Sequence, residues 1–471
     1  MVDIFSAVFI FLWLVYLWET YLSYRQHKLF KSTRDVPVEL RDVLDKETFE
    51  KARLYQLDRS SFGFYHSIYS QLEMSLILLL GGIPLMWKIG ERVLSKFGYS
   101  SDYEILHSLT FLVGAVLFST VTDLPWSLYS TFVVEEKHGF NKQTLGFFIK
   151  DTIKKLVVMT AIMIPIFAGL IYIIKWGGQY FFVYVWFFTI VITLVFVTIY
   201  LDYIAPLFDK FTPLPEGPLK SSIEKLAQSI DFPLAKLLVV EGSKRSSHSN
   251  AYFYGFYKSK KIVLFDTLLA DNPIKKEEEV KNDEGTEDGN EENSKKEIPN
   301  DSTTPDTSTS ETTTASKPKG CSNEEVLAVL GHELGHWKLS HNLKNLAISQ
   351  VNTLFCFLIF GLLMHEKNLF ESFGFHESKP IIIGLIIIFQ FIFSPYNELV
   401  GFLMTILSRH FEFQADAFAK QLGFAAHLRS SLIKLNCDNL GFPIADKLYS
   451  AYHYSHPPLL ERLRALGLKE D

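Results

Sequence analysis

Val329-Leu330-Gly331-His332-Glu333-Leu334-Gly335-His336 places two imidazoles and a carboxylate within one helical turn. Residues i and i+4 share a face of an α-helix, so His332 and His336 can converge on one metal ion. Glu333 projects at an adjacent angle, where it can take a proton from an attacking water. The preceding run, 323–330, reads as helix with an acidic first turn, the end of a helix that favours carboxylates.

Outside this motif the chain is apolar. Its 471 residues are 48% hydrophobic and 15% aromatic, with a mean hydropathy of +0.14. Seven segments have the length and apolarity of spanning helices: 4–21, 72–87, 109–126, 156–174, 180–201, 346–364 and 380–407. The first has neither a basic lead nor a small-residue cleavage site, so it reads as a retained anchor. The last contains Pro395 and is expected to bend or to continue beyond the bilayer. Cys321, Cys356 and Cys437 show no repeated spacing, which argues against a disulfide framework or a thiolate metal site. A net charge of −6 favours no nucleic-acid partner. Basic residues follow the first segment (Arg25, Lys28, Lys31, Arg34) and the third (Lys137, Lys142, Lys150, Lys154, Lys155). The positive-inside rule therefore places these loops in the cytosol and the N-terminus outside, although Lys88, Arg92 and Lys96 point weakly the other way.

Four regions follow from this pattern. Residues 1–204 hold five spans, and 205–345 form a cytosolic α+β protease region with the histidine helix. Residues 346–407 hold two more spans, and 408–471 form a helical C-terminal region. Within the second, 219–230 reads as helix, and 236–240, 251–257 and 261–265 read as strands. The acidic and Ser/Thr-rich insert 273–320 buries too little apolar surface to fold and reads as a disordered loop. The Asn300-Asp301-Ser302 sequon inside it should stay unmodified on the cytosolic side.

Two histidines leave a metal short of a ligand. Glu412 is the candidate, with Asp416 four residues on, placed to accept a hydrogen bond from a ligand imidazole. In isolation this spacing would be an exposed acidic stripe. Topology favours the ligand, because His332 precedes the sixth span and Glu412 follows the seventh, so two crossings return the chain to one side. Glu73, Asp123, Gln350, Asn352, Gln390, Asn397 and Glu398 lie within spans, where each must face protein or water. Singly they suggest helix–helix hydrogen bonds, and together a polar interior cavity. His456, before Pro457-Pro458, could donate to a developing oxyanion or cap the following helix, and Arg462 could support it. His341, five residues beyond His336, is turned off the metal face and reads as a surface histidine. His248–Tyr254 reads as an edge strand to which an extended peptide could add, with Asn250 on its main chain. Tyr252 and Tyr254 read as ordinary strand packing.

The chain resembles the type I CAAX prenyl proteases, animal branch, nearly end to end. The likeness runs through 132–141 (FVVEEKHGFN), 246–256 (SSHSNAYFYGF), 329–336 (VLGHELGH), 408–416 (SRHFEFQAD) and 453–462 (HYSHPPLLER). It implies a mainly α, polytopic protein whose seven helices enclose a chamber, with a gluzincin-like unit carrying a small sheet. It implies one zinc ion on His332, His336 and Glu412, Glu333 as base, and Asp416 orienting a ligand. His456 and Arg462 would assist near the oxyanion, and Asn250 would bind the peptide. The implied substrates are farnesylated CAAX proteins that lose their last three residues, with a second upstream cut in substrates such as prelamin A. The implied location is the endoplasmic reticulum and inner nuclear membrane, with the site facing cytosol or nucleoplasm and the lipid bilayer as partner. The rivals are a broad quality-control protease clearing stalled proteins, which the motif does not distinguish, and a non-catalytic scaffold. Glu333 argues against the scaffold, since a structural zinc site needs no base.

Overall fold

The computed structural model describes residues 3–100, 102–255, 259–270 and 320–467. The insert from 273 to 319, its sequon and residues 256–257 of the expected third strand lie outside them.

Among the described residues, five helices are long and apolar enough to cross a membrane, and two further pairs qualify as bent spans. α1 (Ile4–Ser32) is the first. The second segment is α2 (Lys46–Leu79) followed by α3 (Gly82–Lys96), bent by 68°. The stretch 72–87 is therefore no single rod. It breaks at Gly81, whose φ of 65° suits a residue without Cβ. α4 (Glu104–Tyr129) continues through a π turn, Ser130–Glu135. α5 (Leu145–Trp176) starts on Thr144, whose hydroxyl accepts from the Phe147 N–H, and α6 (Phe181–Ile199) follows.

The chain then leaves the spans for a compact unit. α7 (Pro218–Ser229) follows β1 (Phe211–Pro213) and precedes β2 (Leu234–Val240), β3 (Ala251–Tyr254) and β4 (Lys260–Phe265). The sheet order is β1-β2-β4-β3, with β2 and β4 parallel and the outer pairs antiparallel. β1 escaped the sequence reading because it has three residues and ends in Pro213, tolerable only at a sheet edge. Tyr252 and Tyr254 turn toward the end of α6, where the Tyr254 hydroxyl donates to the Phe196 carbonyl. Ala251 and Phe253 turn the other way, into a core shared with α7 and α8 (Asn323–Lys338). Arg245 forks onto Asp151 of α5 and also reaches Asp209, and so ties this unit to the membrane helices.

α9 (His341–Leu363) re-enters the apolar layer, and α10 (Lys367–Ser372) leads to α11 (Ile381–Ile386). After a π turn, α12 (Ser394–Gln421) departs at 60° with Pro395 in its first turn, where a missing N–H is harmless. α13 (Ala425–Asp438), α14 (Lys447–His453) and α15 (Leu459–Leu466) close the chain. Arg25 near the end of α1 forks onto Asp446 just before α14, at 2.8 and 3.1 Å. The first basic loop and the C-terminal region thus share one side of the molecule.

Most residues of the spans are not buried within the protein. In the most apolar windows of the five continuous ones, only 6 to 17% of residues are buried. Polar span residues gather between them: His66, Tyr69, Glu73, Asp123 and Ser127 line a cavity of about 390 Å³. His66 lies 3.3 Å from Asp123, and the Tyr69 hydroxyl lies 3.3 Å from Glu73.

Candidate metal centre

α8 owes its start to a capping box. The Ser322 hydroxyl accepts from the Glu325 N–H, and the Glu325 carboxylate accepts from the Ser322 N–H. Glu325 is anchored in turn by Ser430 and Lys434 of α13. The helix then runs unbroken through the histidine motif and packs against α12. Gly335 makes the approach possible: a Cβ there would lie 3.1 Å from the Ala415 Cα and 3.2 Å from its carbonyl oxygen.

This contact brings His332, His336 and Glu412 together, with their candidate ligand atoms all within 4.8 Å of one another. The two Nε2 atoms are 3.2 Å apart, Glu412 Oε1 is 3.3 Å from His336 Nε2, and Oε2 is 3.4 Å from His332 Nε2. Ligands about 2.0–2.1 Å from a tetrahedral ion sit roughly 3.3 Å from each other, so the triangle has the size of a zinc coordination face. Glu412 is buried, with its two oxygens turned to the imidazole nitrogens around the triangle rather than to solvent. The donor set and the spacing therefore fit a single divalent metal.

Both imidazoles are held from behind. His332 Nδ1 donates to Asp416 Oδ1 at 2.8 Å, leaving its Nε2 lone pair toward the triangle. Arg462 donates to both oxygens of Asp416, at 2.6 and 2.8 Å, and lies farther, at 3.8 Å, from Glu412. His456 is two-thirds exposed, with Nδ1 2.9 Å from Glu412 Oε2. Burial pushes the Glu333 carboxyl up, toward the range useful to a group that first accepts and then returns a proton. Asn250 is exposed just before the edge strand β3, which packs beside α8.

His341 is not on the surface. It is 1% exposed, stacks on Phe411 and places Nδ1 3.0 Å from His336 Nδ1. Its Nε2 lies 2.9 Å from Gln414 Oε1, while the Gln414 amide nitrogen faces His410. Gln414 Oε1 can only accept, so His341 carries its proton on Nε2 and accepts at Nδ1 from His336. His336 is thereby fixed in the tautomer with a free Nε2. The helical-wheel argument failed because Ser340, at φ 59°, breaks the helix and swings His341 back. We expect His341→Ala to weaken metal binding about 10- to 100-fold, the usual scale for an outer partner of a ligand imidazole. Competition with a chromogenic chelator measures it, and an unchanged affinity would remove His341 from this role.

Together, the apolar spans and this centre define a multi-pass membrane metallopeptidase. Residues 26–210 match the model of the CAAX prenyl protease N-terminal region, five membrane helices, and residues 213–469 match peptidase family M48. The chain belongs to peptidase family M48, among its CAAX prenyl proteases. It is 60% identical to the human CAAX prenyl protease 1 homolog over 98% of this chain and 95% of the relative. It is equally similar to the mouse protein, over 99% and 96%. The crystal structure of S. mikatae Ste24p matches with a TM-score of 0.81 at 35% identity, covering 99% of both chains.

Proposed function

We propose that this protein is a zinc endopeptidase that removes the last three residues of farnesylated Cys-a-a-X proteins, with a second, upstream cut in substrates of the prelamin A type. The observation that carries the reading is the triangle of His332, His336 and Glu412 beside Glu333, on a helix packed between the spans' exit and an open sheet edge. Zinc at this triangle would supply Lewis acidity toward water and the scissile carbonyl. Glu333 takes the proton of the attacking water and returns it to the leaving nitrogen. His456, exposed beside Glu412, donates a hydrogen bond to the carbonyl oxygen as charge develops there. Asp416 and Arg462 hold His332, and Asn250 with the β3 edge holds the peptide in extended form.

The same proposal covers the regions: five spans in 1–204, the protease unit in 205–345, two spans in 346–407 and the completing helices in 408–471. The basic loop beside the C-terminal region supports a cytosolic or nucleoplasmic site; the membranes in the proposal are the endoplasmic reticulum and inner nuclear membrane. A lipidated substrate suits this layout, since the prenyl chain can stay in the bilayer while the peptide enters between the spans.

The test is cleavage of a farnesylated Cys-a-a-X peptide by purified protein in detergent, beside the same peptide without lipid. We expect release of the terminal tripeptide that depends on the lipid and is abolished by a chelator. Equal cleavage of both peptides would favour a quality-control protease instead.

A further inference from the structure

The first turns of α5 precede the apolar run 156–174 and carry two adjacent stripes. Leu145, Ile149 and Ile153 recur every four residues and share one face. They are 43 to 56% exposed, and Val157, inside the span, extends the same face at 61%. This stripe continues the lipid-facing side of the span beyond its end. Lys150 and Lys154 lie one residue further on, about 100° around the helix, and both are exposed. Ammonium groups on long stems beside such a stripe leave their methylenes in the apolar layer and their charge among lipid headgroups.

The metal-bearing unit supplies the other wall. The Lys154 ammonium donates to the carbonyl of Leu207, where the fifth span ends, and lies 5.7 Å from the centre of the Phe208 ring. Tyr203 and Leu207 add exposed apolar surface. Behind them Arg245 and Lys155 meet Asp151, and Arg245 also meets Asp209, so these four charges cancel. What remains is positive. The buried carboxylate of Glu241 faces two exposed lysines, Lys210 next to Asp209 and Lys244 next to Arg245. Lys150 and Lys154 make no ion pair among the described residues. Six cations thus stand against three carboxylates, and the excess sits on exposed ammonium groups at the level where α5 enters the apolar layer.

We propose that this junction binds the headgroup of a negatively charged phospholipid. Its acyl chains lie along the stripe of Ile149 and Ile153, and its phosphate sits among Lys150, Lys154 and the lysines on Glu241. Charge complementarity selects the partner: a zwitterionic lipid brings no net charge to an excess of cations, whereas an acidic one gains about 5-fold in affinity for each lysine near the surface. A headgroup held from both walls braces the metal-bearing unit against α5, where the Arg245 fork already ties them. Neither the metal nor a peptide substrate enters this inference.

The experiment equilibrates full-length protein in mixed micelles of phosphatidylcholine and phosphatidylserine, repurifies it and measures the retained lipid by mass spectrometry. Wild type is expected to hold phosphatidylserine well above its share of the micelle. Lys150→Gln/Lys154→Gln breaks no ion pair among the described residues and should lower that enrichment about 5-fold or more. Lys88→Gln/Lys96→Gln removes the same charge from the exposed face of α3 and should leave it unchanged. Wild type without enrichment, or an equal loss in the α3 control, overturns the site. Phosphatidylserine should also raise the unfolding temperature of wild type more than that of the α5 variant, and an equal rise removes the brace. A final arm adds millimolar inorganic phosphate, against sodium chloride at the same ionic strength. Displacement by phosphate alone would make a soluble phosphate the ligand and overturn the lipid assignment.

Discussion

Glu333→Gln is expected to retain metal and to lose at least about 10²-fold in kcat/KM, the usual scale for removing a general base. The three candidate ligands are His332, His336 and Glu412, and none of them uses Glu333 to hold its place. Gln keeps the volume of the side chain, so the contact between α8 and α12 survives. It cannot accept a proton from water at neutral pH, nor return one to the leaving nitrogen. Metal content by mass spectrometry and peptide cleavage must be measured on the same preparation. Stoichiometric metal with near-normal turnover would remove Glu333 from the base role, whereas loss of metal would make it part of the binding site.

Arg462→Met should lower stability by about 3–5 kcal/mol, because it strands a buried carboxylate. The Arg462 fork is the cation for Asp416, at 2.6 and 2.8 Å, with the side chains 11% and 2% exposed. Without it, Asp416 and the neighbouring Glu412 form a pair of buried anions with only His332 between them. The His332 tautomer is then no longer secured, so metal affinity should fall together with the unfolding temperature. Arg462→Lys keeps the charge but not the two parallel bonds, and should recover part of both. Thermal unfolding in detergent, with and without added zinc, provides the measure. A variant as stable as wild type, with unchanged metal affinity, would show that Arg462 is dispensable to the site.

Much of this molecule is written in local periodicity. The spans are runs of apolar residues as long as a bilayer is thick, and Pro395 marks the start of a new helix after the bend, where its missing N–H is tolerated. His332 and His336 share a face because four residues make about one turn. The juxtaposition of Glu412 with them was accessible by counting crossings, a topological argument that needs no coordinates. The strands β2 to β4 could be read from their apolar runs, whereas β1 carries too few residues to show a period.

Sequence alone therefore determined the class of fold, the histidine helix and the return of its third partner to the same end of the spans, because each depends on spacing along one element or on the parity of crossings. Only the tertiary structure decided what stands behind the ligands and along the open edge. His341 reaches His336 because the backbone reverses hand at Ser340, Arg462 finds Asp416 from a separate helix, and Asn439 meets Ser249 across 190 residues of chain. No periodicity encodes these contacts. They arise where helices pack, and packing depends on the whole set of side chains between them.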